Sequence, residues 1–488
     1  MNRNNFLGHL VLALAVVLLA AFAGQVRHWQ QERLAAPPPP QKVEVSETDE
    51  VSDGAEDGEG VNETEESDGA KVLVRFKHGT SVRAIENLAR IHNDEVDDEI
   101  EAVNGLAVIE DEDGLDAEAV AAEYRHLPDV EYAEPSYEIK LEPEIGNVSH
   151  YDSSAQLAGR LAANTPNDPM FAQQWALNNA GQGGGVSGAD ISALSAWEKT
   201  KGSDKVVVAV LDSGVDYTHS DLINNIWVRP AGVAAYTDEE LGEFDDVHGF
   251  SALSGDDDPM DQNGHGTHCA GIIGAEGDND EGIAGINWKV QIMPLKFMNA
   301  NGSGTTADAI KAINYVIDRK RAGVNVRVIS ASWGSTMKSK ALEDAIRKAG
   351  DEGILFVAAS GNSSADSDKS PHYPAGYDLP NMVSVAALNR NDQLASFSNY
   401  GAKSVHVAAP GAEILSTWLK GSYEEHSGTS MATPLVAGEA ALILSVNPNL
   451  SVKELRERIF KSVDKLDALN GKVATGGRIN AAKAVKAE

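Results

Sequence analysis

The sequence predicts an α/β chain: a large domain on a mostly parallel central sheet flanked by helices, preceded by a small α+β unit. Three observations carry this. From Trp175 onward, short runs that are apolar almost throughout alternate with long helical patterns, as buried parallel strands and their crossovers do. Residues 71–141 instead read β-α-β-β-α-β, a ferredoxin-like order. Ahead of that unit the composition shifts abruptly. Four prolines, Pro37 to Pro40, are followed by twelve Asp/Glu and no Lys or Arg between Val43 and Ala70. Such a stretch buries too little apolar surface to offset the entropy of ordering, so residues 25–70 are read as a solvated linker.

Before the linker, Arg3 precedes an apolar run from Phe6 to Phe22, and Ala21-Phe22-Ala23 has the small-x-small pattern of a cleavage site. Residues 1–24 are therefore a signal peptide or, if uncleaved, an anchor. The run is near the lower limit for spanning a bilayer, and Arg27 and Arg33 follow it. The expected location is extracellular or periplasmic, with membrane attachment only in the uncleaved case. The formal charge of −34 argues against nucleic acid or an anionic membrane surface as the main partner. The single cysteine, Cys269, excludes an intrachain disulfide and multi-cysteine zinc sites.

In the small unit, Val72–Phe76 reads as a strand and Ser81–His92 as a helix with apolar residues at helical spacing. Asn104-Gly105 within Ile100–Ile109 reads as a hairpin turn. Asp116–His126 is a second helix and Val130–Ile139 a last strand. In the large domain the strands expected are Val206–Leu211, Val290–Leu295, Val326–Ser330, Ile354–Ala359, Met382–Ala387 and Val405–Ala409. Helices are expected over Ala307–Lys320, Lys340–Lys348, Ser430–Ser445 and Val452–Lys461. Ser451 and Glu454 have capping-box spacing at the start of the last.

Working residues in such sheets lie beyond the carboxyl ends of strands. The first candidate segment is Asp212-Ser213-Gly214, delivered by an apolar strand. Alone it could equally be a strand-end carboxylate capping a turn. The second, Asn263 to Gly271, flanks His265 with two glycines, which permit close approach of a substrate. A metal pair with His268 is the alternative, but no third ligand stands at a recognised spacing. The third, Ser427 to Pro434, puts Ser430 at a helix N-terminus, where free N–H groups stabilise developing negative charge. An N-cap serine would look the same.

Together, in the order Asp…His…Ser, these segments resemble the subtilisin-like serine proteases, and specifically their thermitase-like branch. The likeness covers 166–488 and includes Ala358-Ala359-Ser360-Gly361-Asn362 and Ala409-Pro410-Gly411. One departure is Leu435, where the family usually has histidine. The resemblance implies a serine endopeptidase in which Ser430 is the nucleophile, His265 the general base and then acid, and Asp212 the residue that orients the imidazole. It implies Asn362 as side-chain oxyanion donor. Gly302, Ser303 and Gly304, with Ser332, Trp333 and Gly334, would clamp an extended peptide, Trp333 either walling a subsite or lying in the core. Ala358, Ala359 and Gly361 would line the primary pocket, with His372 on its floor. A histidine there should shorten the pocket and favour medium apolar side chains.

The same resemblance makes 71–141 an inhibitory propeptide and 142–165 the processing linker before a catalytic domain over 166–488. The chain would be a monomer made as a self-processed zymogen, its partners being peptide substrates and its own propeptide. It also implies one or two structural calcium ions, which prefer oxygen ligands. Asp168, Asp221 and Asn279 would form a first site, and Asp256, Asp258 and Asp261 a second.

Overall fold

The computed structural model describes residues 69–143, 145, 149–151, 165–238 and 242–486. The expected leader, nearly all of the acidic linker and most of 142–165 lie outside them.

The small unit has a four-stranded antiparallel sheet, in the order Asp94–Glu99, Leu106–Asp111, Lys71–Phe76, Val130–Pro135. Two helices, Val82–Ile91 and Ala117–Arg125, complete it. Asp116 caps the second by accepting from the Ala119 N–H at 3.0 Å. Val72, Val74 and Phe76 alternate toward the helices. Leu73 on the opposite face joins the core of the large domain. The period of 2 thus sends one strand's side chains into two different cores.

The large domain carries a nine-stranded sheet. Its order is Phe250–Ser251, Lys289–Lys296, Gly202–Asp212, Val326–Ala331, Leu355–Ala359, Met382–Leu388, Val407–Pro410, Gly477–Arg478, Asp464–Lys465. All neighbours are parallel except the last pair. Within Gly202–Asp212, residues 206–212 are buried on both faces. Val206, Val208 and Val210 pack with the helices His265–Gly274 and Thr429–Val446. Val207, Ala209 and Leu211 pack with Thr306–Arg321 and Lys340–Asp351. At roughly 1.5–3 kcal/mol per fully buried aliphatic side chain, burial of the four valines and Leu211 of this strand contributes on the order of 10 kcal/mol to the two cores before the entropy of ordering is counted. The strand order reverses beside it, and a crevice opens at the carboxyl end of such a switch point. Asp212 is the residue at that end.

The small unit seats on two of these helices. Glu134 receives the Ser339 hydroxyl at 2.6 Å and the Lys340 and Ala341 N–H groups at 3.0 and 2.9 Å, capping one helix. Ser136 and Tyr137 take part in capping the other, through the Ala307 and Thr306 N–H groups at 3.2 and 2.9 Å. Lys311 pairs with Asp97 at 2.7 Å.

Two expectations for the small unit are corrected. The last strand, expected over Val130–Ile139, divides into Val130–Pro135 in this sheet and Glu138–Lys140, which pairs with Ser303–Thr305 of the large domain. The hairpin does not begin at Ile100; its first arm is the acidic Asp94–Glu99, and 100–105 is the connection. Carboxylates are tolerated there because the strand is a sheet edge and Asp97 faces Lys71 and Lys311.

Candidate active site

Asp212, His265 and Ser430 converge at the crevice. Asp212 is fully buried, and its Oδ1 accepts from the Ser213 N–H and contacts His265 Nδ1, both at 2.8 Å. The histidine stands in the first turn of its helix, which starts against the Asp212 strand because Gly266 has no side chain. A Cβ there would meet the Gly214 carbonyl, and would lie 3.1 Å from the Asp212 Cβ.

Asp261 sets that helix in place. It accepts from the Ser213 hydroxyl, the N–H groups of Asn263, Gly264 and Thr267, each at 2.9 Å, and the Thr267 hydroxyl at 2.6 Å. Burial raises its carboxyl above the ordinary value, partly offset by these donors. This positioning role was not read from the sequence, which gave Asp261 to a calcium site.

Ser430 is the second residue of the Thr429–Val446 helix, and Pro434 shapes its surroundings. Proline has no N–H to give to the carbonyl four residues back. The Ser430 carbonyl instead accepts the Ser332 hydroxyl at 2.8 Å and the Cys269 thiol at 3.6 Å. The Ser430 hydroxyl donates to the Ser332 carbonyl at 2.9 Å. Turning about its side-chain torsion frees it for a base, a common adjustment between resting and substrate-bound sites. Cys269 is buried, and desolvation followed by the nearby Asp212 charge pushes its thiol well up, so no thiolate competes as nucleophile. Its sulfur, the Asp212 carboxylate and the His265 ring lie within 4.8 Å of one another. His268 is fully buried and its Nε2 contacts the Glu424 carbonyl at 3.0 Å, which disposes of the histidine metal pair.

Asn362 is held by one end. Its Oδ1 accepts the Thr429 N–H and hydroxyl at 2.8 and 2.9 Å, leaving the amide nitrogen directed elsewhere. Asn399 fastens the same loop through the Ser363 and Ala365 N–H groups and the Ser360 carbonyl. Neither Thr429 nor Asn399 was singled out from sequence, although Thr429 stands beside Ser430 in the motif. Such a grouping can transfer a proton from a hydroxyl to imidazole and stabilise an oxyanion formed beside the helix N-terminus.

The cleft is occupied along one edge by the small unit's last strand. Glu138–Lys140 pairs antiparallel with Ser303–Thr305, in the register Lys140 with Ser303 and Ile139 with Gly304. The Leu141 N–H continues to the Gly302 carbonyl at 2.9 Å. Ala358 and Ala359 close the Leu355–Ala359 strand beside the Ser332–Gly334 segment, and Gly361 follows them. Trp333 does not wall a subsite: it is 3% exposed, its indole N–H donates to the Leu211 carbonyl at 2.8 Å, and it packs on Phe297. An apolar ring with its one polar atom satisfied inside belongs to the core.

Of the two acidic sets, one converges. Asp168 accepts from the Asp278 and Asn279 N–H groups, and Asp221 from Asn279 Nδ2 at 2.8 Å, the Ile283 N–H at 3.0 Å and the Tyr423 hydroxyl at 3.2 Å. Burial pushes both carboxyls up to about 7, and Asp168 Oδ1 is buried with no partner among the described residues. The second set does not form a site. Asp256 pairs with Lys296 at 2.6 Å, Asp258 accepts from Tyr217 and Met260, and Asp261 holds the His265 helix. Each already serves a separate protein partner.

Comparison with known proteins agrees with this geometry. The Subtilase family matches residues 203–476, and the Fervidolysin N-terminal prodomain matches residues 69–136. The chain is 36% identical over 368 residues to a thermophilic serine proteinase of Bacillus sp. (strain AK1), covering 75% of this chain and 76% of the relative. It is 36% identical over 322 residues to thermitase of Thermoactinomyces vulgaris, covering 66% of this chain and 99% of the relative. A solved structure among the proteases of Pseudoalteromonas arctica PAMC 21717 superposes with a TM-score of 0.55 at 28% identity, over 66% of this chain and 99% of that one. The chain therefore belongs to the subtilase family, as a subtilisin-like serine endopeptidase with an N-terminal prodomain.

Proposed function

We propose that this endopeptidase works through Ser430, His265 and Asp212, is exported, and is made as a zymogen that processes itself. The observation that supports this best is the 2.8 Å contact of His265 Nδ1 with buried Asp212, in a cleft that also holds Ser430 and Asn362. In this reading His265 takes the Ser430 proton as the hydroxyl attacks the peptide carbonyl, then gives it to the departing amine. Asp212 fixes the tautomer and stabilises the imidazolium. The Asn362 amide and the Ser430 backbone N–H receive the oxyanion. Water then hydrolyses the acyl-enzyme by the reverse proton path. The strand 138–141 lies where substrate would lie, which supports the prodomain as the intramolecular inhibitor. Purified mature protein should hydrolyse an unfolded protein substrate and lose that activity to a sulfonyl fluoride; activity indifferent to the reagent would speak against a serine nucleophile.

Asp168, Asp221 and Asn279 fit a calcium ion, because two buried carboxylates converge and one oxygen lacks a donor. The bound ion would supply charge neutralisation that clamps the 276–283 loop to the start of the domain. Binding only to the folded state raises stability by mass action. The pH sign follows from the raised carboxyls. In excess chelator the folded protein holds protons the unfolded chain gives up, so stability should fall as pH rises from about 4 toward 7. With excess calcium that loss should vanish. Thermal midpoints that coincide with and without calcium across this window would remove the site.

A further inference from the structure

After the cleft, the chain meets the large domain at a second sheet edge. Ile414–Trp418 and Ser422–His426 form an antiparallel hairpin just ahead of the nucleophile helix. Ser149–Tyr151 adds a third strand to this hairpin, in the register Ser149 with Glu425, His150 with Glu424 and Tyr151 with Tyr423. These three residues lie seven to nine positions after Glu142, in the processing linker. Residues 138–141 are bonded to 302–305 at the same time. One continuous peptide is therefore held at two separate edges of the catalytic domain.

The hairpin edge suits a peptide main chain. One side of Ser422–His426 pairs with Ile414–Trp418, so its other row of N–H and C=O groups is open whenever no third strand is present. The strand is fixed from within. Tyr423 is fully buried and its hydroxyl donates to Asp221 at 3.2 Å, while Glu424 contacts His426 Nε2 at 2.9 Å. Such an edge takes an extended chain by strand addition, with affinity supplied by the main chain. Charge supplies selectivity. Glu425 is half-buried, and desolvation followed by the nearby Glu413 raises its carboxyl. Residues 145–151, Ile-Gly-Asn-Val-Ser-His-Tyr, carry no carboxylate, although Glu142, Glu144 and Asp152 flank them.

Building on the endopeptidase reading above, we propose that the Ser422–His426 edge is a second binding site for protein substrates, taking an extended, non-acidic segment downstream of the one in the cleft. In the precursor the linker fills this edge. Cleavage on the C-terminal side of Tyr151 empties it for other chains. A substrate lying in the cleft as 138–142 does has its own seventh to ninth following residues within reach of the edge. Six residues separate Glu142 from Ser149, each spanning at most about 3.3–3.6 Å, so the tether holds the second segment at high effective concentration. The site therefore rewards long unfolded chains over short peptides, and internal bonds over those near a C-terminus.

The test assays enzyme matured from the wild-type precursor on fluorescent casein, with two synthetic competitors, residues 137–147 and residues 137–153 of this chain. The longer peptide should inhibit with a Ki lower by about tenfold or more. N-methylation of its Ser149 and His150 nitrogens should cancel that gain. Successive N–H groups of a strand point to opposite sides, so one of the two faces the edge. A Ser149→Asp long peptide sets a carboxylate opposite Glu425 and should bind about two- to fivefold more weakly, a loss that Glu425→Lys enzyme should reverse. Equal Ki values for the two lengths, or a gain that survives N-methylation, would overturn the proposal and leave the peptidase reading standing. A mature fragment whose mass retains Ser149–Tyr151 would overturn it too, because the edge is then filled by its own linker. Casein left intact removes the peptidase reading itself.

Discussion

Ser430→Ala should abolish peptide hydrolysis, lowering kcat by on the order of 10⁶ while binding of extended peptides persists. The residual rate should come from the oxyanion donors and from positioning. The variant should also accumulate as a precursor that retains residues 69–142. Wild type should instead yield a catalytic fragment beginning after Pro143 and no later than residue 167. The structure narrows that range at its lower end, because Glu142 rests beside Asn362 and is followed by proline. Mass spectrometry of the two purified products measures both outcomes. A Ser430→Ala protein that matures with no other protease present would show that Ser430 is not the nucleophile of processing.

Asn362→Leu should lower kcat by about 10²–10³, or about 2.7–4 kcal/mol of transition-state stabilisation, with little change in KM. The interaction lost is one that forms as the oxyanion forms. Leucine also strips Thr429 of the acceptor for its N–H and hydroxyl, so a stability loss of about 1–3 kcal/mol should accompany it. Asn362→Asp separates the two effects. It keeps an acceptor for Thr429 but places a carboxylate where negative charge develops, so kcat should fall at least as far while the melting temperature stays nearer wild type. Steady-state kinetics and thermal unfolding of the two variants decide the matter. Full turnover in either would exclude Asn362 from the oxyanion site.

Much of the catalytic domain is legible in the sequence because its strands are buried on both faces. Met382–Leu388 and Val326–Ala331 are apolar enough to be located within a residue, and Ser451 with Glu454 forms the capping box its spacing suggests. What sequence reasoning misses is set by partners far away in the chain. Asp94–Glu99 is not picked out as a strand because carboxylates are poor strand formers, yet Lys71 and Lys311 make Asp97 an interface residue. Asp261 looks like part of a metal-binding run, and only the folded arrangement shows it capping the His265 helix from outside. Trp333 beside the cleft is equally ambiguous until Leu211 supplies an acceptor inside.

The central claim is that Ser430, activated by His265, is the nucleophile. Mature protein treated with a fluorophosphonate probe and mapped by peptide mass spectrometry tests it most directly. The account predicts one equivalent of label on Ser430, bound in step with the loss of peptidase activity. Complete loss of activity with the label on another residue, or full labelling of Ser430 with activity retained, would contradict it.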